Sequence, residues 1–92
     1  MADSSPSFTV NFKPGAAKQL RKIHPKDQRS IVAAIEELAE NPRPRGCVML
    51  VDGDGEYRIR VGNYRVVYDI NDRVLTILVL QVEHRRQVYA RR

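Results

Sequence analysis

The sequence predicts an α+β fold in a single domain, and three observations carry that prediction. Its 92 residues suit one hydrophobic core, since domains typically hold about 100–150 residues. Apolar residues recur at helical spacing between Pro14 and Asn41 and at a spacing of two from Val48 onward. The order is therefore strand, two helices, then three or four strands, which places a helical hairpin on one face of a largely antiparallel sheet. An apolar fraction of 42% and a charged fraction of 29% exclude wholesale disorder and low-complexity classes.

Taken in order, residues 1–7 (MADSSPS) are polar and read as a disordered N-terminus ahead of a domain spanning 8–92. Phe8 to Phe12 alternates apolar and polar positions as a short strand does. Pro14 suits a first helical turn, and Ala16, Leu20 and Ile23 then form the stripe of a short amphipathic helix, interrupted at His24-Pro25. A second helix begins near Pro25, with Ile31, Ile35 and Leu38 on its apolar side, and Asn41-Pro42 ends it. Beyond a linker rich in Pro and Arg, Val48 to Val51 reads as a short strand and residues 52–55 (DGDG) as a turn. Glu56 to Val61 and Tyr64 to Ile70 flank Gly62-Asn63, a two-residue hairpin signal. After a turn at Asn71-Asp72, Val74 to Val82 is apolar on both faces, as a central strand is.

The net charge is +5 and unevenly distributed. All four lysines lie within the first 26 residues, whereas ten of the twelve arginines fall between Arg43 and Arg92. Arginine stays ionised at any relevant pH and presents a planar fork matched to phosphate oxygens, so an arginine excess suits an anionic partner. The single cysteine, Cys47, cannot close an intramolecular disulfide and reads as a small packing residue. No second cysteine or paired histidine supplies a zinc spacing, so neither metal nor cofactor is expected. No apolar run reaches the roughly 18 residues of a membrane span, and the N-terminus lacks the features of a signal peptide. A cytoplasmic protein with no membrane partner is the expectation.

The hairpin exposes the chemistry. With Gly62 and Asn63 as the loop, Val61 faces Tyr64, Arg60 faces Arg65, Ile59 faces Val66 and Arg58 faces Val67. Tyr57, Ile59, Val61, Tyr64, Val66 and Tyr68 then share the helix side, and Arg58, Arg60 and Arg65 share the other. Like charges opposite one another on adjacent strands are destabilising by about 0.2–1 kcal/mol. Fold stability does not ask for Arg60 opposite Arg65. Either neighbouring acids such as Glu56 and Asp69 spread a solvated face, or a bound phosphate relieves the repulsion. The C-terminal run Glu83-His84-Arg85-Arg86-Gln87-Val88-Tyr89 is either a solvated tail or an extension of this site, with Tyr89 as a stacking platform and His84 able to move protons.

The run from Glu56 to Tyr68 (EYRIRVGNYRVVY), the helix end Glu37-Leu38-Ala39-Glu40-Asn41-Pro42 and the closing His84-Arg85-Arg86-Gln87-Val88-Tyr89 resemble the RelE/ParE toxin superfamily of bacterial toxin–antitoxin systems. The resemblance covers nearly all of the chain after residue 7. It implies a RelE-like fold and, for a RelE-type member, a metal-independent endoribonuclease that cuts mRNA in the ribosomal A site. There a ribose 2′-OH attacks the adjacent phosphate, which requires cations for the phosphorane, a base, an acid and in-line orientation.

The same resemblance places Arg58 and Arg60 at the paired basic positions, Arg65 on the return strand, Arg85 after the last strand and Tyr89 at the stacking position. It thus implies Arg60, Arg65, Arg85 and Tyr89 as catalytic, with Arg58, Arg86 and His84 on the RNA. One departure is chemical: RelE-type toxins often carry lysines where this chain has Arg58 and Arg60, and arginine cannot give up its proton. The general base is left among His84, Glu83 and Glu56, or the ribosome and the oriented 2′-OH suffice with the arginines acting electrostatically. The implied partners are a RelB-type antitoxin, the ribosome and mRNA, with DNA met only through the antitoxin complex. ParE-type members share the fold and poison DNA gyrase without nuclease chemistry, which is the alternative function; a general RNA-binding domain is a third.

Overall fold

A computed structural model describes residues 7–50 and 55–84. All of the expected disordered segment except Ser7 therefore lies outside the described residues.

Strand β1 spans Thr9–Phe12, helix α1 Pro14–Arg21, helix α2 Pro25–Leu38, and strands β2 to β5 span Val48–Met49, Glu56–Val61, Tyr64–Asn71 and Thr76–His84. Both helices start on a proline, where the missing N–H is no loss and the fixed φ suits the first turn. His24 caps α2, its Nδ1 accepting the Lys26 backbone N–H at 3.1 Å. The stripe expected of α1 runs past its end: Ile23 lies in the following turn, half-buried against the core.

The five strands form one mixed sheet in the order β1-β5-β4-β3-β2. The four later strands pair antiparallel, and β1 joins as a parallel edge with Thr9 opposite Thr76 and Phe12 opposite Val79. The last strand is thus an inner one, as its two apolar faces require. It starts at Thr76 and not at Val74. Asn71 Oδ1 accepts the backbone N–H groups of Arg73 and Val74, closing a turn that leaves Val74 63% exposed and Leu75 in the left-handed region at φ 53°.

The helices cover one sheet face. Ala16, Ile31, Ile35 and Leu38 meet Ile59, Val66, Tyr68, Ile77, Val79 and Val82 in a single core in which Tyr68 is the largest fully buried side chain. Two polar contacts fix α1 and the turn after it. Gln19 Oε1 accepts the Val82 N–H at 3.0 Å, on the edge of β5 beyond its pairing with β1. Gln28 Nε2 donates to the Ile23 carbonyl at 2.7 Å and to the Arg21 carbonyl at 3.3 Å.

Candidate nucleic-acid interface

Gly62 takes φ +59° while Asn63 does not enter the left-handed region, the pattern of a type II′ hairpin turn with glycine first. The register on either side is the expected one: Val61 with Tyr64, Arg60 with Arg65, Ile59 with Val66, Arg58 with Val67. Ile59, Val66 and Tyr68 are buried under the helices, and Arg58, Arg60 and Arg65 lie together on the opposite face. Arg60 is exposed, and Arg58 and Arg65 are half-buried. Next to a two-residue turn Val61 and Tyr64 form the hydrogen-bonded pair, so Arg60 and Arg65 fall in the closer, non-hydrogen-bonded spacing of about 4.5 Å between Cα atoms.

Two acids of this face lie away from the arginine pair and one lies beside it. Glu56 sits opposite Asp69, at the far end of the hairpin from Arg60 and Arg65. Glu83 on β5 sits opposite Arg65, continuing the row Arg60-Arg65-Glu83 across three strands. No ion pair ties Arg58 or Arg60 to another described residue. Among the described residues, Arg58, Arg60 and Arg65 near the hairpin tip thus outnumber the single acid beside them, Glu83, and that excess suits a phosphate near the tip. Beside it, a groove of about 310 Å³ opens between α2 and β3, bordered by Arg45 and Arg60.

His84 is placed elsewhere. Opposite Val67 and Tyr68 the register shifts, so that Val67 pairs with Gln81 but Tyr68 with Val79. This bulge at Leu80 reverses the inward set of β5 from Ile77 and Val79 to Val82 and His84. Gln81 and Glu83 join the arginine face, while His84 packs edge-to-face on Tyr64 with ring centroids 5.0 Å apart, on the helix side. Of the three candidate bases, Glu83 alone neighbours the arginine pair. Arg85, Arg86 and Tyr89 lie outside the described residues.

A fourth arginine of the second half is engaged in a different task, for which the sequence carried no local signal. Arg43, in the linker, lies over the Tyr57 ring at 5.2 Å, donates to its hydroxyl at 3.1 Å and forks onto Asp72 at 3.3 and 2.8 Å. The fork holds the Asp72 carboxyl below the usual carboxylate range and raises the Arg43 pKa further. Beneath it Tyr57 stacks on Tyr68, whose hydroxyl donates to the Pro42 carbonyl at 2.7 Å. Burial first, and the neighbouring Cys47 thiol second, push the Tyr68 pKa well up. Cys47 packs against the core there, the small packing role expected of it. Among the described residues no three His, Cys, Asp or Glu side chains converge as metal ligands, and no helix is long and apolar enough to cross a membrane.

Residues 10–89 match the family described as the ParE toxin of type II toxin–antitoxin system, parDE. Toxin RelG of Mycobacterium tuberculosis is 32% identical over 85 residues, covering 91% of this chain and 98% of that protein. Among solved structures, the archaeal RelE–RelB complex from Pyrococcus horikoshii superposes with a TM-score of 0.77 at 25% identity, covering 86% of this chain and 96% of that one. The toxin–antitoxin complex RelBE2 from Mycobacterium tuberculosis gives 0.74 at 32% identity, covering 86% and 99%.

Proposed function

The chain belongs to the RelE/ParE toxin superfamily of type II toxin–antitoxin systems, and from that premise we propose that it is a ribosome-dependent mRNA endoribonuclease. The observation that carries this reading is the arginine face: Arg58, Arg60 and Arg65 gathered on the uncovered side of the sheet, with Arg60 set directly against Arg65. A scissile phosphate between these two guanidinium groups removes their repulsion and receives bidentate hydrogen bonds. As the 2′-OH attacks, negative charge grows on the non-bridging oxygens, and cations already in place stabilise it without reorganisation. Glu83, in the same row, takes the 2′-OH proton. The P–O5′ bond breaks and the leaving oxygen takes a proton from water, giving a 2′,3′-cyclic phosphate and a 5′-hydroxyl, with Arg85 offsetting the charge on that oxygen and Tyr89 holding a base by stacking. Arg58 and Arg86 add contacts to the RNA.

Such a nuclease needs restraint. Because similar toxins have been solved in RelE–RelB complexes, we take the partner in the cytoplasm to be a RelB-type antitoxin whose extended acidic segment covers the arginine face. Contact with DNA then runs through the antitoxin. Primer extension on translated mRNA tests the reading: cleavage is expected from the wild-type chain and lost in folded Arg65→Ala and Tyr89→Ala variants. Unchanged cleavage in both would remove the site assignment.

One observation favours a second reading. Arg58 and Arg60 cannot deprotonate, and a face of permanent cations also serves a purely binding toxin of the ParE type. A supercoiling assay separates the two, since gyrase inhibition without any RNA cut excludes the nuclease.

A further inference from the structure

The hairpin tip has a second side. Tyr64 follows the turn directly and points to the helix face, while Arg65, the next residue, points to the arginine face. Behind Tyr64 lies a cavity of about 400 Å³ lined by Lys22, Ile23, His24, Tyr64, Val82 and His84. Volumes of about 300–1,000 Å³ are those of small-ligand sites.

Its walls are of two kinds. Tyr64 and His84, in edge-to-face contact, offer ring surface, and Ile23 and Val82 add aliphatic surface. Lys22 and His24 bring polar donors from the turn between the helices. Because His24 Nδ1 accepts the Lys26 N–H, the neutral ring carries its proton on Nε2, which is left as a donor. No carboxylate is among the described lining residues. The walls are also anchored: Gln19 fixes α1 to Val82, Gln28 fixes the turn at Ile23, and His24 caps α2. A site on elements held this way is formed before its ligand arrives.

A cation, an N–H donor and aromatic surface match a nucleotide, with its anionic phosphate and planar base. We propose that this cavity is a second RNA subsite, holding the phosphodiester and base of a nucleotide that flanks the one on the arginine face. The proposal rests on the RNA-directed reading above. The two sites lie back to back across one sheet at the same end, so an RNA chain rounding the β3–β4 turn reaches both. Message and ribosomal RNA offer the same chemistry.

The test uses the full chain and a 2′-O-methyl RNA hexamer, which binds without being cut, with vacant ribosomes as the second arm. The variants are Lys22→Gln, on an exposed side chain, and His24→Ser, which keeps a side-chain acceptor for the Lys26 N–H. Together they are expected to weaken binding about tenfold, and Lys22→Gln alone to lower the salt slope by about one. Loss on the hexamer assigns the subsite to message; loss on ribosomes alone assigns it to ribosomal RNA. Unchanged affinity in both arms overturns the proposal, as does equal competition for the cavity by an acidic decapeptide. If translated message is never cut but these losses appear, the nuclease reading fails and the subsite stands. If Arg65→Ala stops cleavage and the cavity variants bind normally, the subsite alone fails.

Discussion

Replacing Arg60 with glutamine should make the protein more stable while disabling it. Arg60 and Arg65 leave the sheet side by side in the closer of the two antiparallel spacings, and two unit charges about 6 Å apart in water repel by about 0.7 kcal/mol. Water is the right medium because Arg60 is exposed. Glu83, opposite Arg65, takes up part of this, so about 0.5 kcal/mol is expected on removal of one charge, within the range of measured cross-strand pairs. For a domain of this size that is a rise in Tm of about 2–4 °C. Thermal and urea unfolding should be compared at about 10 mM and 1 M salt, where the screening lengths are about 30 and 3 Å. The gain should be present at low salt and vanish at high salt, and RNA cleavage should fall by about 100-fold in the same variant. A destabilised Arg60→Gln at low salt, or a gain indifferent to salt, refutes the argument that the arginine pair is held together at a cost.

Tyr68→Phe keeps the buried ring but deprives the Pro42 carbonyl of its donor, and should cost about 1–2 kcal/mol in urea unfolding. Since the folded state raises the Tyr68 pKa, it holds the phenolic proton when the unfolded chain, near pKa 10, has released it; stability present below about pH 10 is therefore lost as pH rises beyond it. That alkaline decline should be shallower in Tyr68→Phe, and an unchanged profile would mean the hydroxyl is not held in the core. Gly62→Ala meets no atom within 4 Å, so its expected cost of about 1 kcal/mol is backbone strain at φ +59°; full stability in calorimetry would contradict the turn type. The Arg43–Asp72 pair is exposed, and because Asp72 titrates below its ordinary value, whatever it adds is present above about pH 4 and fades as pH falls through the folded-state value. Asp72→Asn should change the midpoint less than Tyr68→Phe does.

How far the sequence could be read depended on the range of the interaction. The β3–β4 hairpin was legible in full, register included, because Gly62-Asn63 fixes it locally and period two then sorts Arg58, Arg60 and Arg65 from Tyr57, Ile59 and Val66. The two helices were legible from their prolines and stripes. The partner of β1 was not, since Phe8 to Phe12 shows alternation and nothing in alternation names a neighbour sixty-odd residues away. The face that His84 takes was not legible for a related reason. An apolar run on both faces hides its own parity, and the bulge at Leu80 changed it. The clue was present in Gln81-Val82-Glu83-His84, whose polar positions fall out of step with Ile77 and Val79. Arg43, Tyr57 and Asp72 meet from three separate segments, and no local pattern announces such a contact.

The placement of β5 between β1 and β4 has a temporal side. It is the last of the five strands to leave the ribosome, yet it joins the first to the rest. Until it emerges, β1 has no partner, the helices have only part of the sheet to cover, and Glu83 is absent from the arginine row. Pairing between such distant segments is slow, and unpaired strand edges stay open to other chains meanwhile. The sheet is thus closed only once the last of its strands has been made. The interval between release and closure of the sheet is when a partner able to pair with an open strand finds it most receptive.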